Sequence, residues 1–278
     1  MDLNIKPILA KYGFRFKKEY GQNFLTDISL LNEIVERSGV DNNSTVVEIG
    51  IGAGTLTSVL AEKAKRVIGF EIDEKLRPIL NDRLSAYNNV EINFIDIMKE
   101  KLENIERKIG EEYIVVANLP YYITTPLIMN FLENAKNLKS MTIMVQKEVA
   151  DRFVSKEGTS DYGAITVAIN LRGNAKTILD VNREKFTPVP NVDSAVVRID
   201  IEKEKYQGVD YNAVREVVKC AFQNRRKTLL NNLSTYYKLP KITAEKILEK
   251  CDIDKTFRGE RLSALEFIKL SEELKNAR

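Results

Sequence analysis

Apolar residues along this chain fall into two rhythms. Short runs come first: Thr45-Val46-Val47-Glu48-Ile49, Val67-Ile68-Gly69-Phe70, Val90 to Ile95, Tyr113-Ile114-Val115-Val116-Ala117 and Met141 to Val145. Each has the length and composition of a strand buried on both faces of a parallel sheet. Between them, apolar positions recur at helical spacing. Leu56, Val59, Leu60 and Ala64 follow the first run, Leu76, Ile79, Leu80 and Leu84 the second, and a helix from about Pro126 to Leu132 follows the fourth. Strand alternating with helix predicts an α/β fold with a doubly wound parallel sheet. Two later segments, Thr177 to Val181 and Ala195 to Ile201, flank the proline-rich turn Phe186-Thr187-Pro188-Val189-Pro190 and predict an antiparallel pair at the sheet edge. Seven strands result, with the last two reversed.

The rhythm changes in the last quarter. A helix from near Gln146 through Glu148, Val149 and Phe153 breaks at Glu157-Gly158-Thr159-Ser160, and Glu202-Lys203-Glu204-Lys205-Tyr206-Gln207-Gly208 reads as a charged linker. Beyond it only helical periodicity is present. Two domains are therefore expected: an α/β domain over residues 1–207 and a small all-helical domain over residues 208–278.

At 278 residues, with 44% hydrophobic and 30% charged residues, the chain has the composition of a soluble globular protein. It has no apolar stretch near the ~20 residues of a membrane span, and Met1-Asp2-Leu3-Asn4-Ile5-Lys6 lacks a signal-peptide core, so a cytoplasmic protein without membrane attachment is expected. The two cysteines, Cys220 and Cys251, suit neither a disulfide framework nor a metal site. Histidine is absent altogether, which removes Ser-His and Cys-His nucleophiles, imidazole bases and His-bearing metal sites. The net charge of +3 conceals an uneven distribution. Residues 1–24 carry five Lys/Arg against two Asp/Glu, residues 215–261 twelve against six, and residues 25–214 carry 23 against 29. A basic arm and a basic tail around an acidic body suit a polyanion held beside an active site.

Candidate chemistry gathers at predicted strand ends. Glu48-Ile49-Gly50-Ile51-Gly52-Ala53-Gly54 is a strand–turn–helix opening whose glycines permit close backbone approach. Its G-x-G-x-G spacing differs from the dinucleotide fingerprint, and the acid before it suits a cationic ligand better than a pyrophosphate. Glu71, ending the second strand, is placed to accept from ribose hydroxyls, and Asp96, ending the third, from an adenine amine. One glycine turn with two strand-end acids is the layout of an S-adenosylmethionine site. Asn118-Leu119-Pro120-Tyr121 ends the fourth strand. By itself it also reads as a strand end before a proline turn. Beside a methyl donor it reads as a base clamp: the Asn118 side-chain oxygen and the Leu119 carbonyl accept from an exocyclic amine, freeing its lone pair, and Tyr121 stacks on the ring. Phe186 is a candidate for the second face of the base, or alternatively a core plug.

Five motifs in order carry a resemblance. They are Tyr20-Gly21-Gln22-Asn23-Phe24-Leu25, the glycine turn, Asn118 to Tyr121, the stretch from Phe186-Thr187-Pro188 to Asp193-Ser194-Ala195, and Ala221-Phe222-Gln223-Asn224-Arg225-Arg226-Lys227-Thr228-Leu229. Together they resemble the KsgA-type small-subunit ribosomal RNA adenine dimethyltransferases over about residues 15 to 270. The resemblance implies a Rossmann-like methyltransferase sheet, S-adenosylmethionine as cofactor, and transfer of two methyl groups to N6 of each of two adjacent adenosines near the 3′ end of small-subunit rRNA. The partner it implies is that rRNA in a pre-ribosomal particle, and a monomer is expected. The resemblance assigns cofactor contacts to Asn23, Leu25, Gly50, Glu71, Asp96 and Asn118, to which the glycine turn adds Gly52. Tyr122 departs from the family pattern, where Asn often follows the motif tyrosine. Arg225, Arg226 and Lys227, with Arg258 and Arg261, form the candidate RNA surface, with Arg226 interrupting an apolar helical stripe. The rivals are a large-subunit rRNA methylase of the macrolide-resistance type, a non-catalytic RNA-binding assembly protein and, weakest, a dinucleotide-dependent oxidoreductase.

Overall fold

The computed structural model describes residues 5–16 and 23–277, so Tyr20-Gly21-Gln22 of the first motif and much of the basic arm lie outside the described residues. Nine strands are present among the described residues: β1 Phe24–Leu25, β2 Thr45–Ile49, β3 Arg66–Glu71, β4 Val90–Phe94, β5 Tyr113–Asn118, β6 Leu138–Gln146, β7 Gly173–Val181, β8 Phe186–Thr187 and β9 Ser194–Ile201. Seven of them form one sheet in the order β4-β3-β2-β5-β6-β9-β7, and β1 pairs with β8 in a separate two-stranded ribbon. Strands β2 to β6 are mutually parallel. All five residues of β2 are buried, as expected of a central strand covered by helices on both faces.

The late strands form the expected antiparallel pair, but only β9 opposes the rest of the sheet. β9 runs antiparallel to β6. The side chains of Asn174 and Glu202 meet near one end of the β7–β9 pair, and the Arg183 amide donates to Asp193 Oδ1 at 2.9 Å near the other, so β7 runs antiparallel to β9 and parallel to β6. The β8 turn folds onto β1, which leaves the chain to re-enter the sheet in the gap between β6 and β7.

The order of the strands places the site. From β2 the chain moves outward through β3 to β4, then returns to β5 on the other side of β2, which makes the cleft at the carboxyl ends of β2 and β5 the topological switch point. Gly50 to Gly54 leave β2 there and Asn118 ends β5. The helix Thr55–Lys63, begun by Gly54 at φ +77°, packs Leu56, Val59 and Leu60 with Leu31, Val35, Val46 and Val116.

The chain divides into two compact units, Met1–Ala150 with Lys176–Ile201 and Asp151–Ala175 with Glu202–Arg278. Where the sequence suggests one cut near residue 207, residues 151–175 group with the C-terminal helices. The reason is apolar: Tyr162, Val167 and Leu171 pack in one cluster with Val214, Val217, Leu229, Leu262 and Phe267. Tyr162 is fully buried and its hydroxyl donates to the Leu262 carbonyl at 2.9 Å. Helix ends in this unit are closed by side chains, Asp210 accepting from Asn212 and Ala213 amides and Ser263 forming a capping box with Glu266. No helix of the described residues is long and apolar enough to cross a membrane.

Candidate active site

A cavity of about 290 Å³ opens at the switch point, of the size that holds a small molecule. Its wall includes Asn23, Leu25, Gly50, Gly52, Glu71, Asp96, Asn118, Leu119 and Tyr121, so all but one of the residues expected to bind cofactor or base come together there. The glycine turn is held by its neighbour strand: the Gly50 amide donates to the Phe70 carbonyl at 2.8 Å. Gly50, Gly52 and Gly54 sit at φ +74°, +58° and +77°, in the left-handed region that glycine enters freely.

Glu71 is the anchor of the turn. Its Oε2 accepts the Gly52 amide at 2.8 Å, and its Oε1 accepts the Ile72 and Asp73 amides at 2.9 and 2.8 Å. Burial pushes this carboxyl above the usual glutamate range, and the Asp73, Gly52 and Ile72 amides pull it back. Oε1 is filled by two amides while Oε2 holds one, so the carboxylate keeps one acceptor site, on Oε2, for a ligand hydroxyl. Asp96 divides its work. Oδ1 accepts the Met98 amide at 3.0 Å, closing the turn after β4, Oδ2 lies 3.5 Å from the exposed Lys99 Nζ, and Asp96 is part of the cavity wall.

Glu48 is the acid before the glycines, the one that suits a cationic ligand. It lines the cavity at 1% exposure, and its Oε2 has no hydrogen-bond partner. Burial pushes it up to about 8; the Thr57 hydroxyl, which makes no regular hydrogen bond itself, tempers this, and the Glu71 charge adds to it. A raised carboxyl keeps its proton in the folded chain after the unfolded chain has lost it at its ordinary value of 4.5, so this group's contribution to stability declines as pH rises from about 4.5 to about 8. Glu48→Gln, which keeps the shape and removes the titration, is expected to flatten the fall in melting temperature between pH 5 and 8. Parallel profiles for variant and wild type would contradict this.

Asn118 is oriented from outside the sheet. Its Nδ2 donates to the Asn23 carbonyl at 3.1 Å, which leaves Oδ1 as the acceptor available to a ligand. The Tyr121 ring lines the cavity while its hydroxyl shares a 3.0 Å hydrogen bond with Ser194 Oγ. Leu119 buries its side chain, and Pro120 and Tyr122 complete the corner. Tyr122 is the exposed member of the tyrosine pair, at 57%.

Phe186 is the residue that the structure does not bring into the cavity. It is 2% exposed and packs with Leu25, Leu31, Ile34 and Val196, so it plugs the core beneath the site instead of presenting a face to a base. Its register explains this: Phe186 pairs with Leu25 in the β1–β8 ribbon, which turns the ring inward. Phe24, which sequence reasoning placed only within a motif, lines the cavity beside the glycine turn. Its proximity to Gly52 has no signature in sequence spacing.

The five candidate RNA-binding cations are all exposed, and all lie in the helical unit. Arg226 does not interrupt a helical stripe. The helix Tyr211–Gln223 ends before it, and Thr228 caps the next helix, Leu229–Tyr236, so Arg225, Arg226 and Lys227 occupy the turn between. Arg225 also supports the fold, since its Nη2 donates to the Ser160 and Tyr162 carbonyls at 2.6 and 2.7 Å. Arg261 stacks over the Phe257 ring at 5.9 Å and lies against Gly158.

Known proteins are similar to this chain in sequence and in fold. The chain is 45% identical over 280 residues to the Ribosomal RNA small subunit methyltransferase A of Bacillus licheniformis, covering 98% of this chain and 96% of that one. The protein of the same name from Geobacillus thermodenitrificans is 46% identical over 279 residues, covering 97% and 94%. Among solved structures, a dimethyladenosine transferase from Plasmodium falciparum superposes with a TM-score of 0.78 at 26% identity, covering 91% of this chain and 98% of that one. The 23S rRNA methyltransferase ErmE does so with a TM-score of 0.68 at 26% identity, covering 91% and 100%. The family model described as Ribosomal RNA adenine dimethylase matches residues 13–276, and the chain belongs to that family.

Proposed function

We propose that the protein transfers methyl groups from S-adenosylmethionine to N6 of two adjacent adenosines near the 3′ end of small-subunit rRNA, giving N6,N6-dimethyladenosines during small-subunit biogenesis. The observation that carries the reading is the amide of Asn118, tied through Nδ2 to the Asn23 carbonyl at the rim of the switch-point cavity so that its oxygen is free to accept from an amine. The choice of the small subunit over the large rests on relatives at 45% and 46% identity that carry the small-subunit name, against 26% for the 23S rRNA enzyme.

The donor set of the cavity fits the cofactor. Glu71 offers Oε2 to a ribose hydroxyl, Asp96 one oxygen to an adenine amine, the glycine turn closely approaching backbone, and Glu48 an unsatisfied buried oxygen to a cationic group. Asn23 and Leu25 close the same wall. When bound, S-adenosylmethionine supplies an electrophilic methyl carbon. The residues supply position and polarity. Asn118 Oδ1 and the Leu119 carbonyl accept the two N–H bonds of the adenine N6, which draws that nitrogen out of conjugation and directs its lone pair at the methyl carbon. Tyr121 holds the ring. The new bond is N–C, the broken bond is C–S with its electron pair returning to sulfur, and the amine proton passes to its acceptors and on to water. No strong base is required, in keeping with a chain without histidine.

The helical unit carries the RNA grip in this reading, with Arg226, Lys227, Arg258 and Arg261 contacting phosphates and Arg225 holding the turn beneath them. The protein acts as a monomer on a pre-ribosomal particle, in the cytoplasm. Replacing Arg226 and Lys227 together with Ala is expected to weaken rRNA binding, reduce the salt dependence of log K by roughly 0.7–0.9 for each phosphate no longer neutralised, and leave cofactor affinity unchanged. An unchanged salt slope measured by filter binding would remove these two from the RNA surface. The reaction itself is tested by offering small-subunit particles lacking the modification and protein-free large-subunit rRNA separately with labelled cofactor. Label in the small subunit is the expected result, and label only in the large-subunit RNA would overturn it.

A further inference from the structure

The stretch from Phe186 to Ser194 touches the amine-holding corner from both sides. At its start, Phe186 and Thr187 pair with Leu25 and Phe24, and the residue before Phe24, Asn23, gives its carbonyl to Asn118 Nδ2. At its end, Ser194 opens β9 and shares the hydrogen bond with the Tyr121 hydroxyl. Between these points the stretch is clamped to its neighbours: Asp193 accepts the Arg183 amide through Oδ1 and the Lys147 amide through its own carbonyl, and Arg183 Nη1 donates to the Asn191 carbonyl at 3.1 Å. Ser194 is 1% exposed and pairs in register with Gln146 of β6, so its hydroxyl has a fixed origin in the sheet.

Stacking alone needs no phenol. A phenylalanine ring offers the same face, but nothing tethers its far end; the phenol oxygen lies on the axis of the outer torsion, so a hydrogen bond there restrains the inner torsion and with it the position of the ring. The tip here is held by a buried hydroxyl on a strand. We propose that Ser194 is a positioning residue for methyl transfer, acting through the Tyr121 hydroxyl to fix the position of the ring on which the target base rests. The inference rests on the function proposed above. Ser194 touches neither base nor cofactor in this role, and it is absent from the cavity wall.

The test is a double-mutant cycle with one conservative variant. Ser194→Ala and Tyr121→Phe are each expected to lower kcat for methyl transfer to unmodified small-subunit particles by about three- to tenfold, the scale of one hydrogen bond between neutral groups, with cofactor affinity unchanged. The double variant is expected to be no worse than the poorer single variant, because both changes cut the same bond. Ser194→Thr, which keeps the hydroxyl and has the β-branching that suits a strand, is expected to restore turnover. A Ser194→Ala enzyme with wild-type kcat, or multiplicative losses in the double variant, overturns the inference while leaving the reaction intact. NMR of ¹³C-tyrosine-labelled protein reads the tether without RNA: the Tyr121 signal should move in Ser194→Ala and return in Ser194→Thr, and an unmoved signal also overturns the inference. Wild-type protein that transfers no methyl group to the particles overturns the proposed reaction, and with it this role, whatever the NMR result.

Discussion

Replacing Asn118 with Ala is expected to cut methyl transfer by about tenfold or more, toward the 10²–10³ seen when one preorganised polar group is removed from a reaction centre, while rRNA binding persists. Two effects combine. The variant loses the oxygen that accepts from the target amine in the proposed reaction, and it removes the Nδ2 donor that ties this corner to the Asn23 carbonyl. Because Asn118 also lines the cavity proposed to hold the cofactor, cofactor affinity should fall, but less than turnover. Single-turnover transfer of labelled methyl, beside filter binding of RNA, separates the two. Unchanged turnover would refute the role assigned to Asn118.

Replacing Gly52 with Ala is expected to reduce cofactor affinity by about tenfold or more, equivalent to ~1.4 kcal/mol. The position is constrained twice. At φ +58° a side chain costs about 1–2 kcal/mol, and a Cβ there would lie 2.7 Å from Phe24 Cε1 and 3.0 Å from Cδ1. Phe24 has little room to retreat, being paired with Thr187 and packed with Ile51, Leu76 and Leu80. A shift of the turn instead would pull the Gly52 amide from Glu71 Oε2 and disturb the carboxylate that seats the ribose in the proposed complex. Calorimetric titration with the cofactor checks this. An alanine variant that binds as tightly as wild type would mean that the turn does not form the cofactor wall.

The strands and the wall of the cavity were readable because both depend on local order. Five apolar runs, each ending in glycine, acid or amide, are enough to place Gly50, Glu71, Asp96 and Asn118 at one edge of a parallel sheet, since every such strand end points the same way. Features set by distant pairing were not readable. Phe186 looked equally fit for stacking or packing until its register with Leu25 turned it inward. Arg225 looked like its neighbours until its guanidinium met two carbonyls more than sixty residues away. The membership of residues 151–175 in the helical unit depends on a fully buried Tyr162 whose partner, Leu262, is a hundred residues distant. Glu48 was visible as an acid before the glycines, but its burial and its unpartnered oxygen arise only when helix and sheet close over it.

The most direct test of the account is to incubate the purified protein with S-adenosylmethionine and small-subunit particles that lack the modification, then digest the rRNA and identify the nucleosides by mass. The account predicts N6,N6-dimethyladenosine at two adjacent positions near the 3′ end. Methylation at another atom, or none at all while large-subunit rRNA is methylated in parallel, would contradict it.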